Sequence, residues 1–400
     1  MNLPPAKIAD PAIRARILLV IIYIGFVSLG LPDTVLGVAW DYMRVDFGEP
    51  IYYAGFLTML LTLCSAVSSF MSGAVLRRVG TGRLLMICGY LTGFSLLGDA
   101  LLPVFWGLLL LTVPLGFGQG AVDTGMNFYV AKHYSSRDMS WLHCCWGIGA
   151  SAGPTVVTLV IAAGWSWRWS YGLIASIQIV LATLFLAALG LWRESGGTAA
   201  GTVEGLAAAG ETVTRDVRFW CCALIFWAYT GIEVSIGLWS YTLLTTLRQV
   251  PAEAAGYWVA GYWGALTAGR FLLGIFADRI GNRRLIRCST AGAMLAGILL
   301  AVPGGRWLAL AALLLAGFSL ASLYPCMMHE APRRFNDATA GILTGYQGGA
   351  GALGIAMIPP LVGYIAARTT FGILPYVVFG LSLAIFLMQV RVDGWRLARR

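Results

Sequence analysis

Charged residues are scarce in this sequence. They make up 11% of its 400 residues, and hydrophobic residues make up 58%, whereas charged residues are about a quarter of an ordinary soluble domain. The mean hydropathy is +0.78. Because so few charges cannot cover the surface of a water-soluble protein of this length, the composition excludes a soluble protein and favours one that lies in a membrane.

Motifs for enzymatic chemistry and for ATP binding are also lacking. The sequence contains no HExxH and no P-loop, which mark metalloproteases and nucleotide-driven machines. We therefore expect no catalytic residue and no cofactor, and we expect an ion gradient as the source of energy. A membrane-embedded enzyme or a transport-like sensor is the alternative of a different class.

Cysteine and histidine are present without the spacing of a metal site. The eight cysteines include the adjacent pairs Cys144–Cys145 and Cys221–Cys222, but no CxxC pattern, and cysteines inside apolar stretches are typically small core residues. We therefore expect no metal ion. The alternative is a metal role for His143 beside Cys144 and Cys145.

The sequence does contain a series of long apolar stretches. A membrane-spanning helix needs about 20 mostly apolar residues, and the chain divides into twelve such stretches. They lie at 14–41, 51–76, 83–102, 104–133, 139–164, 168–192, 217–247, 252–278, 283–302, 306–330, 336–365 and 371–392. The basic residues before the first stretch resemble the start of a signal peptide, but no A-x-A-like cleavage site follows. The predicted fold class is an all-α integral membrane protein with twelve transmembrane helices.

The basic residues indicate how these helices cross the membrane. If the N-terminus is cytoplasmic, 21 of the 27 Lys and Arg residues fall on the cytoplasmic side and five fall outside, while Arg270 lies inside the eighth stretch. This excess satisfies the positive-inside rule. We expect both termini in the cytoplasm and the protein in a bacterial inner membrane. Because topology accounts for the net charge of +9, no nucleic-acid partner is expected.

An internal repeat divides the chain into two halves. Residues 73–84 recur 201 positions later as residues 274–285, and further glycines recur at the same spacing. Such a repeat predicts two related six-helix bundles. We expect pseudo-symmetric bundles at 1–192 and 217–400, joined at 193–216 by a Gly/Ala/Thr-rich segment with the composition of a flexible cytoplasmic linker.

The repeated loop resembles the signature loop of the major facilitator superfamily, a family of secondary transporters. The matching residues are Gly73, Arg78, Gly80 and Arg83 in the first half, and Gly274, Asp278, Arg279 and Gly281 in the second. The resemblance implies the major facilitator fold, alternating access to a central site and a gating role for these loops. The glycines would let helices approach closely, and the arginines would pair with helix ends or acids. The alternative is that the basic residues of these loops only follow the positive-inside rule and have no gating role.

The acidic residues Asp33, Asp123 and Glu233 fall within the first, fourth and seventh apolar stretches. An ionised carboxylate at the bilayer centre costs several kcal/mol unless it faces a cavity or a partner, so such residues are functional candidates. Burial disfavours the charged form of a carboxyl group. A proton could therefore bind and leave as a cavity opens alternately to the two sides of the membrane.

Asp123 belongs to a polar stripe in the fourth stretch. Gln119, Asp123 and Asn127 recur every four residues, which puts all three on one face of a helix. A water-filled solute path needs such a stripe, because lipid would not tolerate it. The alternative is a seam of hydrogen bonds between helices.

Asp33 and Glu233 occupy comparable positions in the two halves. Asp33 follows Pro32, which is expected to kink the first helix and to free backbone groups near the acid. A cap or a gate is the alternative role for Asp33. Glu233 lies one residue before the repeat equivalent of Asp33. A structural pair between the halves or with a tyrosine hydroxyl is as well supported as solute binding.

The sequence also resembles, more narrowly, the fucose permease-like branch of sugar–proton symporters. The match consists of residues 31–33 (Leu-Pro-Asp) in the first helix and 123–127 (Asp-Thr-Gly-Met-Asn) in the fourth. The resemblance implies proton-coupled sugar symport, with Asp33 in sugar binding and Asp123 in proton coupling. Because both are intramembrane acids, Asp33 is a further candidate for proton coupling. In the fifth helix, where that branch is rich in Asn and Gln, this chain has His143 and the cysteine pair.

Aromatic and polar residues complete the predicted binding site. Besides the acids, Gln119 and Asn127, the candidates are Trp40, His143, Trp146, Trp239 and Gln347. Aromatic faces with amide and carboxylate partners suit the apolar and hydroxyl surfaces of a polyol. For each tryptophan the alternative is packing, or anchoring at the membrane interface. For His143 the alternatives are a packed histidine and a pH-sensitive gate.

The predicted function is secondary active transport, as proton-coupled symport of a sugar or related small polar solute by alternating access. The partners expected are the small-molecule solute, a proton with sodium as the alternative ion, and membrane lipid, and the protein is expected to be a monomer. The alternative function is a drug– or metabolite–proton antiporter, because residues 149–154 match part of a motif that such exporters carry in their fifth helix.

Overall fold

The computed structural model describes residues 11–134, 136–192, 216–334 and 337–397. Within these residues the chain forms thirteen α-helices, and twelve candidate spans are long and apolar enough to cross a membrane. The predicted all-α fold with twelve transmembrane helices is therefore confirmed.

Six helices precede the predicted linker. They are α1 (Pro11–Phe47), α2 (Tyr53–Val79), α3 (Thr81–Leu101), α4 (Phe105–His133), α5 (Ser136–Ala162) and α6 (Trp167–Ala187). A short 3₁₀ turn at Leu189–Leu191 follows α6. The predicted linker lies outside the described residues except for Asp216, whose side chain accepts a hydrogen bond from the Arg218 backbone and caps the next helix.

Seven helices follow the predicted linker. They are α7 (Val217–Leu247), α8 (Ala252–Ile280), α9 (Asn282–Ala301), α10 (Arg306–Leu320), α11 (Leu323–Arg334), α12 (Asp337–Arg368) and α13 (Ile373–Leu397). The tenth candidate span, Arg306–Met328, contains α10 and the start of α11. Its helix is interrupted at Ala321 and Ser322.

The described residues divide into two compact units. Residues up to 50 and from 60 to 192 form unit 1, and residues 51–59 and from 216 onwards form unit 2. The start of α2 therefore groups with the second half of the chain, whereas the repeat assigns it to the first. The bundle boundaries at 192 and 217 stay predictions.

The repeated loops have the same backbone conformation in the two units. Gly80 and Gly281 precede α3 and α9 with φ of 79° and 86°, a region that residues with a Cβ atom rarely enter. The repeated glycine is thus required by a tight turn. A Cβ atom at Gly274 would meet nothing within 4 Å, so the expected close approach of helices at that glycine is wrong.

The arginines of these loops lie on the surface. Arg78, Arg83 and Arg279 are exposed. The side chain of Asp278 and the surroundings of Gly73 lie outside the described part of the chain, so the predicted gating role of both loops stays a prediction.

Candidate functional site

The α1 segment around Asp33 is held in place by hydrogen bonds to two proline-freed carbonyl groups. Pro32 has no N–H, so it leaves the Ser28 carbonyl without its usual helical partner. The Gln178 side chain on α6 donates to this carbonyl at 2.6 Å. Pro154 frees the Ala150 carbonyl on α5 in the same way, and the Thr34 hydroxyl donates to it at 2.7 Å. Ser28 and Thr34, which lie on either side of Asp33 in the sequence, are therefore each bonded to another helix. Helix α1 continues through Pro32 without a break.

Close packing of α1 against α5 reinforces this arrangement. A Cβ atom at Gly30 would collide with the Trp146 carbonyl oxygen, and one at Gly149 would collide with the Val27 carbonyl oxygen. At Gly153 it would collide with the backbone of α1 as well. Because glycine lets two backbones approach this closely, α5 brings Trp146 within reach of Asp33.

Two side chains, from two other helices of unit 1, donate hydrogen bonds to the Asp33 carboxylate. The Gln119 amide on α4 donates to Oδ1 at 2.9 Å, and the Trp146 indole N–H on α5 donates to Oδ2 at 2.8 Å. Gln119 is buried, Trp146 is half-buried and Asp33 is exposed. We call these three residues the Asp33 site.

The chemistry of the Asp33 site suits a polar ligand. An ionised carboxylate offers about four lone-pair positions, and here two neutral donors each approach a different oxygen. Asp33 lies inside the candidate span Ala12–Phe47, where an exposed acid is costly unless it faces water or a partner. The site can accept further hydrogen bonds from the hydroxyl groups of a solute.

The second acid of unit 1 is paired within its own helix. The Asn127 side-chain amide donates to the Asp123 carboxylate at 3.0 Å and to the Asp123 backbone carbonyl at 3.1 Å. Both side chains are half-buried. Asp123 lies one turn along α4 from Gln119, so the predicted polar stripe continues from the Asp33 site to Asp123.

His143 lies one turn before Trp146 on α5. Its ring is exposed and meets the Phe26 ring of α1 edge-on, with centroids 5.9 Å apart. The structure thus places the imidazole beside α1, near the residue that donates to Asp33. Within the described residues, no group of three or more His, Cys, Asp and Glu side chains could hold a metal ion.

Two predicted solute contacts lie in the packed interior of their units. Trp40 is buried against the Phe105 ring, with centroids 6.2 Å apart. Trp239 is buried on Gly363, and its N–H donates to the Pro359 carbonyl at 2.8 Å. Because neither ring presents a surface to a ligand, we reassign Trp40 and Trp239 to helix packing.

Gln347 on α12 is also buried, with 2% of its surface exposed. Its Oε1 atom has no hydrogen-bond partner among the described residues. A buried amide oxygen without a partner costs about 1–3 kcal/mol, so Gln347 retains an unused acceptor and stays a candidate ligand of a hydroxyl group.

Glu233 lies in a cluster of polar side chains inside unit 2. Its carboxylate accepts from the Tyr229 hydroxyl on α7 and contacts the Arg270 guanidinium on α8 at 3.4 Å. The Tyr262 hydroxyl donates to the Glu233 backbone carbonyl at 3.0 Å. The bond from Tyr229 matches the structural pair with a tyrosine hydroxyl that the sequence left open beside solute binding. Tyr229, Tyr262 and Arg270 all belong to the same unit as Glu233.

Three residues of structural importance escaped the sequence analysis. Arg270 is not among the predicted site residues, although a basic residue inside an apolar span is itself a signal of function. Asp99 is a further acid inside a candidate span and is buried, but it lies near the end of α3, where an acidic residue is a weaker signal. No local signal identified Gln178, because its role depends on which helix packs against Pro32.

The chain resembles a bacterial transport protein along most of its length. It is 22% identical to the cis,cis-muconate transport protein of Acinetobacter baylyi over 383 residues, which cover 90% of this chain and 91% of that protein.

Solved structures share the fold. The crystal structure of the nucleoside transporter NupG superposes with a TM-score of 0.75 at 14% identity, covering 94% of this chain and 98% of that one. The crystal structure of a D-xylose-proton symporter superposes with a TM-score of 0.71 at 14% identity, covering 93% and 96%.

A family model fits nearly the whole chain. The model of the Major Facilitator Superfamily matches residues 22–359 and, in a second match, 243–396. Together with the twelve candidate spans, this match shows that the chain is a multi-pass membrane transport protein belonging to the Major Facilitator Superfamily.

Proposed function

We propose that this protein carries a small polar solute with sugar-like hydroxyl groups across the membrane, coupled to a proton, by alternating access. The observation that carries this proposal is the Asp33 site: an exposed carboxylate inside a membrane span, oriented by Gln119 and Trp146. An indole ring beside a carboxylate and an amide suits the mixed apolar and hydroxyl surface of a sugar.

The similar proteins support this class of solute. One solved structure with the same fold is a D-xylose-proton symporter, another is a nucleoside transporter, and a relative in sequence is a cis,cis-muconate transport protein. All three solutes are small and polar. The narrower relation to fucose permease-like symporters rests on the sequence match around Asp33 and Asp123.

Proton coupling is assigned to Asp123, with a contribution from Asp33. Asp123 lies half-buried on the same face of α4 as Gln119, and its hydrogen-bond donor is the neutral Asn127 amide. Because this donor is neutral, Asp123 can take up a proton without breaking an ion pair with it. Sodium is the alternative coupling ion.

The proposed architecture follows the repeat. Two bundles at 1–192 and 217–400 would move against each other around a linker at 193–216, with both termini in the cytoplasm of a bacterial cell. The gating role of the repeated loops belongs to this part of the proposal.

Export of drugs or metabolites in exchange for protons is the alternative function. The sequence feature behind it is the match of residues 149–154 to an exporter motif. In the structure the glycines of that segment pack α5 against α1. This packing explains the glycines under either direction of transport, so they do not favour export.

A ligand screen followed by a transport assay tests the proposal. Sugars, polyols and cationic drugs are screened for thermal stabilisation of the purified protein, since a ligand that binds the native state raises its stability. Stabilising compounds are then assayed in proteoliposomes with an inward proton gradient. Uphill uptake of a hydroxylated solute supports the proposal. Stabilisation by cationic drugs alone, with gradient-driven efflux, would replace it by the export alternative.

A further inference from the structure

A polar cluster inside unit 2 has no part in the Asp33 site. It consists of Tyr229 and Glu233 on α7 and Tyr262 and Arg270 on α8. Arg270 Nη2 lies 3.4 Å from Glu233 Oε1 and 3.4 Å from the Tyr229 hydroxyl oxygen, while the Tyr229 hydroxyl donates to Oε2 of Glu233. We call these four residues the Arg270 cluster.

The charges of the Arg270 cluster carry a cost in folding free energy. Both charged residues lie inside candidate spans, at Val217–Leu247 and Ala252–Phe276. The Glu233 side chain is 10% exposed and the Arg270 side chain 16% exposed. Charged side chains at such positions are rare and mark functional sites by default. A pair of apolar residues of similar volume would often stabilise a protein as well or better.

The contact between Arg270 and Glu233 is longer than that of a strong structural ion pair. A charge-assisted N–H···O bond is typically about 2.7–2.9 Å long, whereas the Arg270–Glu233 contact is 3.4 Å. A guanidinium group is shaped to bind a carboxylate through two parallel hydrogen bonds. Part of the Arg270 side chain is exposed, so a small anion can reach it.

Other charges of unit 2 lie elsewhere in the helices. The elements packed against α7 and α8 are α9 to α13. Their described ion pairs lie near helix ends, where Arg283 on α9 contacts Glu330 on α11 at 3.4 Å and Arg287 contacts Asp393 on α13 at 2.8 Å. The titratable side chains bonded to Arg270 in the described contacts are Glu233 and Tyr229, and the Tyr324 hydroxyl on α11 also interacts with it electrostatically. The Tyr262 hydroxyl donates to the backbone carbonyl of Glu233.

We propose that Arg270 binds a carboxylate group of the transported solute, and that Glu233 is the internal carboxylate that occupies the guanidinium when solute is absent. The inference rests on the proposed function and narrows its solute to an organic acid with hydroxyl groups, such as a sugar acid. Tyr229 holds the Glu233 carboxylate and can retain it after Arg270 has exchanged partners. The solute carboxylate therefore competes with Glu233 for one cation.

Matched pairs of neutral and acidic compounds test this inference. Gluconate is compared with sorbitol and glucose, which share its carbon skeleton without the carboxylate, by thermal stabilisation and by equilibrium binding to the full-length protein in detergent. We expect the wild type to bind gluconate at least tenfold more tightly than sorbitol. R270Q should remove this preference, and E233Q should strengthen gluconate binding severalfold because it removes the competing charge.

The double variant R270Q/E233Q controls for misfolding. R270Q alone leaves Glu233 as an unpaired buried carboxylate, which is strongly destabilising, whereas the double variant contains no unpaired charge. It should fold and bind gluconate no better than sorbitol. If instead the double variant keeps the wild-type preference, or if E233Q weakens gluconate binding, the assignment of Arg270 is wrong.

The outcomes separate this inference from the proposed function. Uphill, proton-driven uptake of glucose or sorbitol by the wild type, with no binding of gluconate, would overturn the role of Arg270 and leave the proposed function standing. The absence of gradient-driven uptake for the acidic and the neutral compounds alike would overturn both.

Discussion

At the scale of single residues, the two acids of unit 1 differ in what surrounds them. Asp33 accepts hydrogen bonds from side chains on two other helices, whereas Asp123 accepts one from Asn127 on its own helix. A carboxylate fixed by several helices is suited to orient a solute. A carboxylate with a single neutral, local partner is suited to exchange a proton. The proposed division of roles between binding and coupling follows from this difference.

Asp33→Asn should weaken solute binding. The asparagine retains one acceptor oxygen but turns an N–H group towards Gln119 or Trp146, each of which is a donor, so the site loses a hydrogen bond and its alignment. We expect a loss of roughly 1–3 kcal/mol of binding free energy. The control is Trp165→Phe, since Trp165 lies in the loop after α5 and is 59% exposed. Equal affinities of the two variants in an equilibrium binding assay would remove Asp33 from the site.

Asp123→Asn should separate transport from its driving force. An amide cannot take up or release a proton, so we expect loss of uphill accumulation in proteoliposomes while exchange of labelled for unlabelled solute continues. Asp41→Asn is the matched control, because Asp41 is an acid of α1 that pairs with Arg44 at 3.5 Å near the helix end. Full concentrative uptake by Asp123→Asn would contradict the coupling role.

At the scale of helices, glycine determines how closely α1 and α5 pack. Gly149→Ala places a methyl group against the Val27 carbonyl oxygen, and the helices must separate to accommodate it. Overpacking of this kind costs about 1–3 kcal/mol. Thermal unfolding should therefore show a clear fall in Tm, accompanied by weaker solute binding, because Trp146 moves with α5.

Gly172→Ala provides the comparison for Gly149→Ala. Gly172 lies within α6, and a Cβ atom there would meet no other atom within 4 Å, so the substitution improves helix propensity without a steric cost. We expect an unchanged or slightly raised Tm. A fall as large as that of Gly149→Ala would show that the sensitivity lies in the loss of glycine itself rather than in the contact between α1 and α5.

At the scale of the whole molecule, the repeat supplies two similar scaffolds that differ in their charges. The repeat mate of Asp123 is Tyr324 and that of Asp33 is Val234. In unit 1 the described partners of Asp33 and Asp123 are neutral, whereas in unit 2 Glu233 is paired with Arg270. This asymmetry predicts that substitution of Asp123 changes coupling and that substitution of Arg270 changes which solutes bind.

The proposed topology makes a prediction for the whole chain. Alkaline phosphatase, which is active only outside the cytoplasm, should be active when fused after Gly164 in the loop between α5 and α6, and inactive when fused after Arg400. The basis is the excess of Lys and Arg on one side of the membrane. Activity at the C-terminus would reverse the orientation and with it the cytoplasmic assignment of the repeated loops.

The sequence by itself determined the membrane class, the number of spans and the two related halves, because apolar length and a repeat are properties of the chain alone. It also identified Asp33, Gln119 and Trp146 as candidates, since polar groups in apolar spans are conspicuous. Only the tertiary structure decided which of these residues meet. Helix packing brings Gln119 and Trp146 to Asp33, buries Trp40 and Trp239, and joins Glu233 to Arg270. These outcomes depend on which faces of distant helices are in contact, and no local pattern in the sequence specifies that.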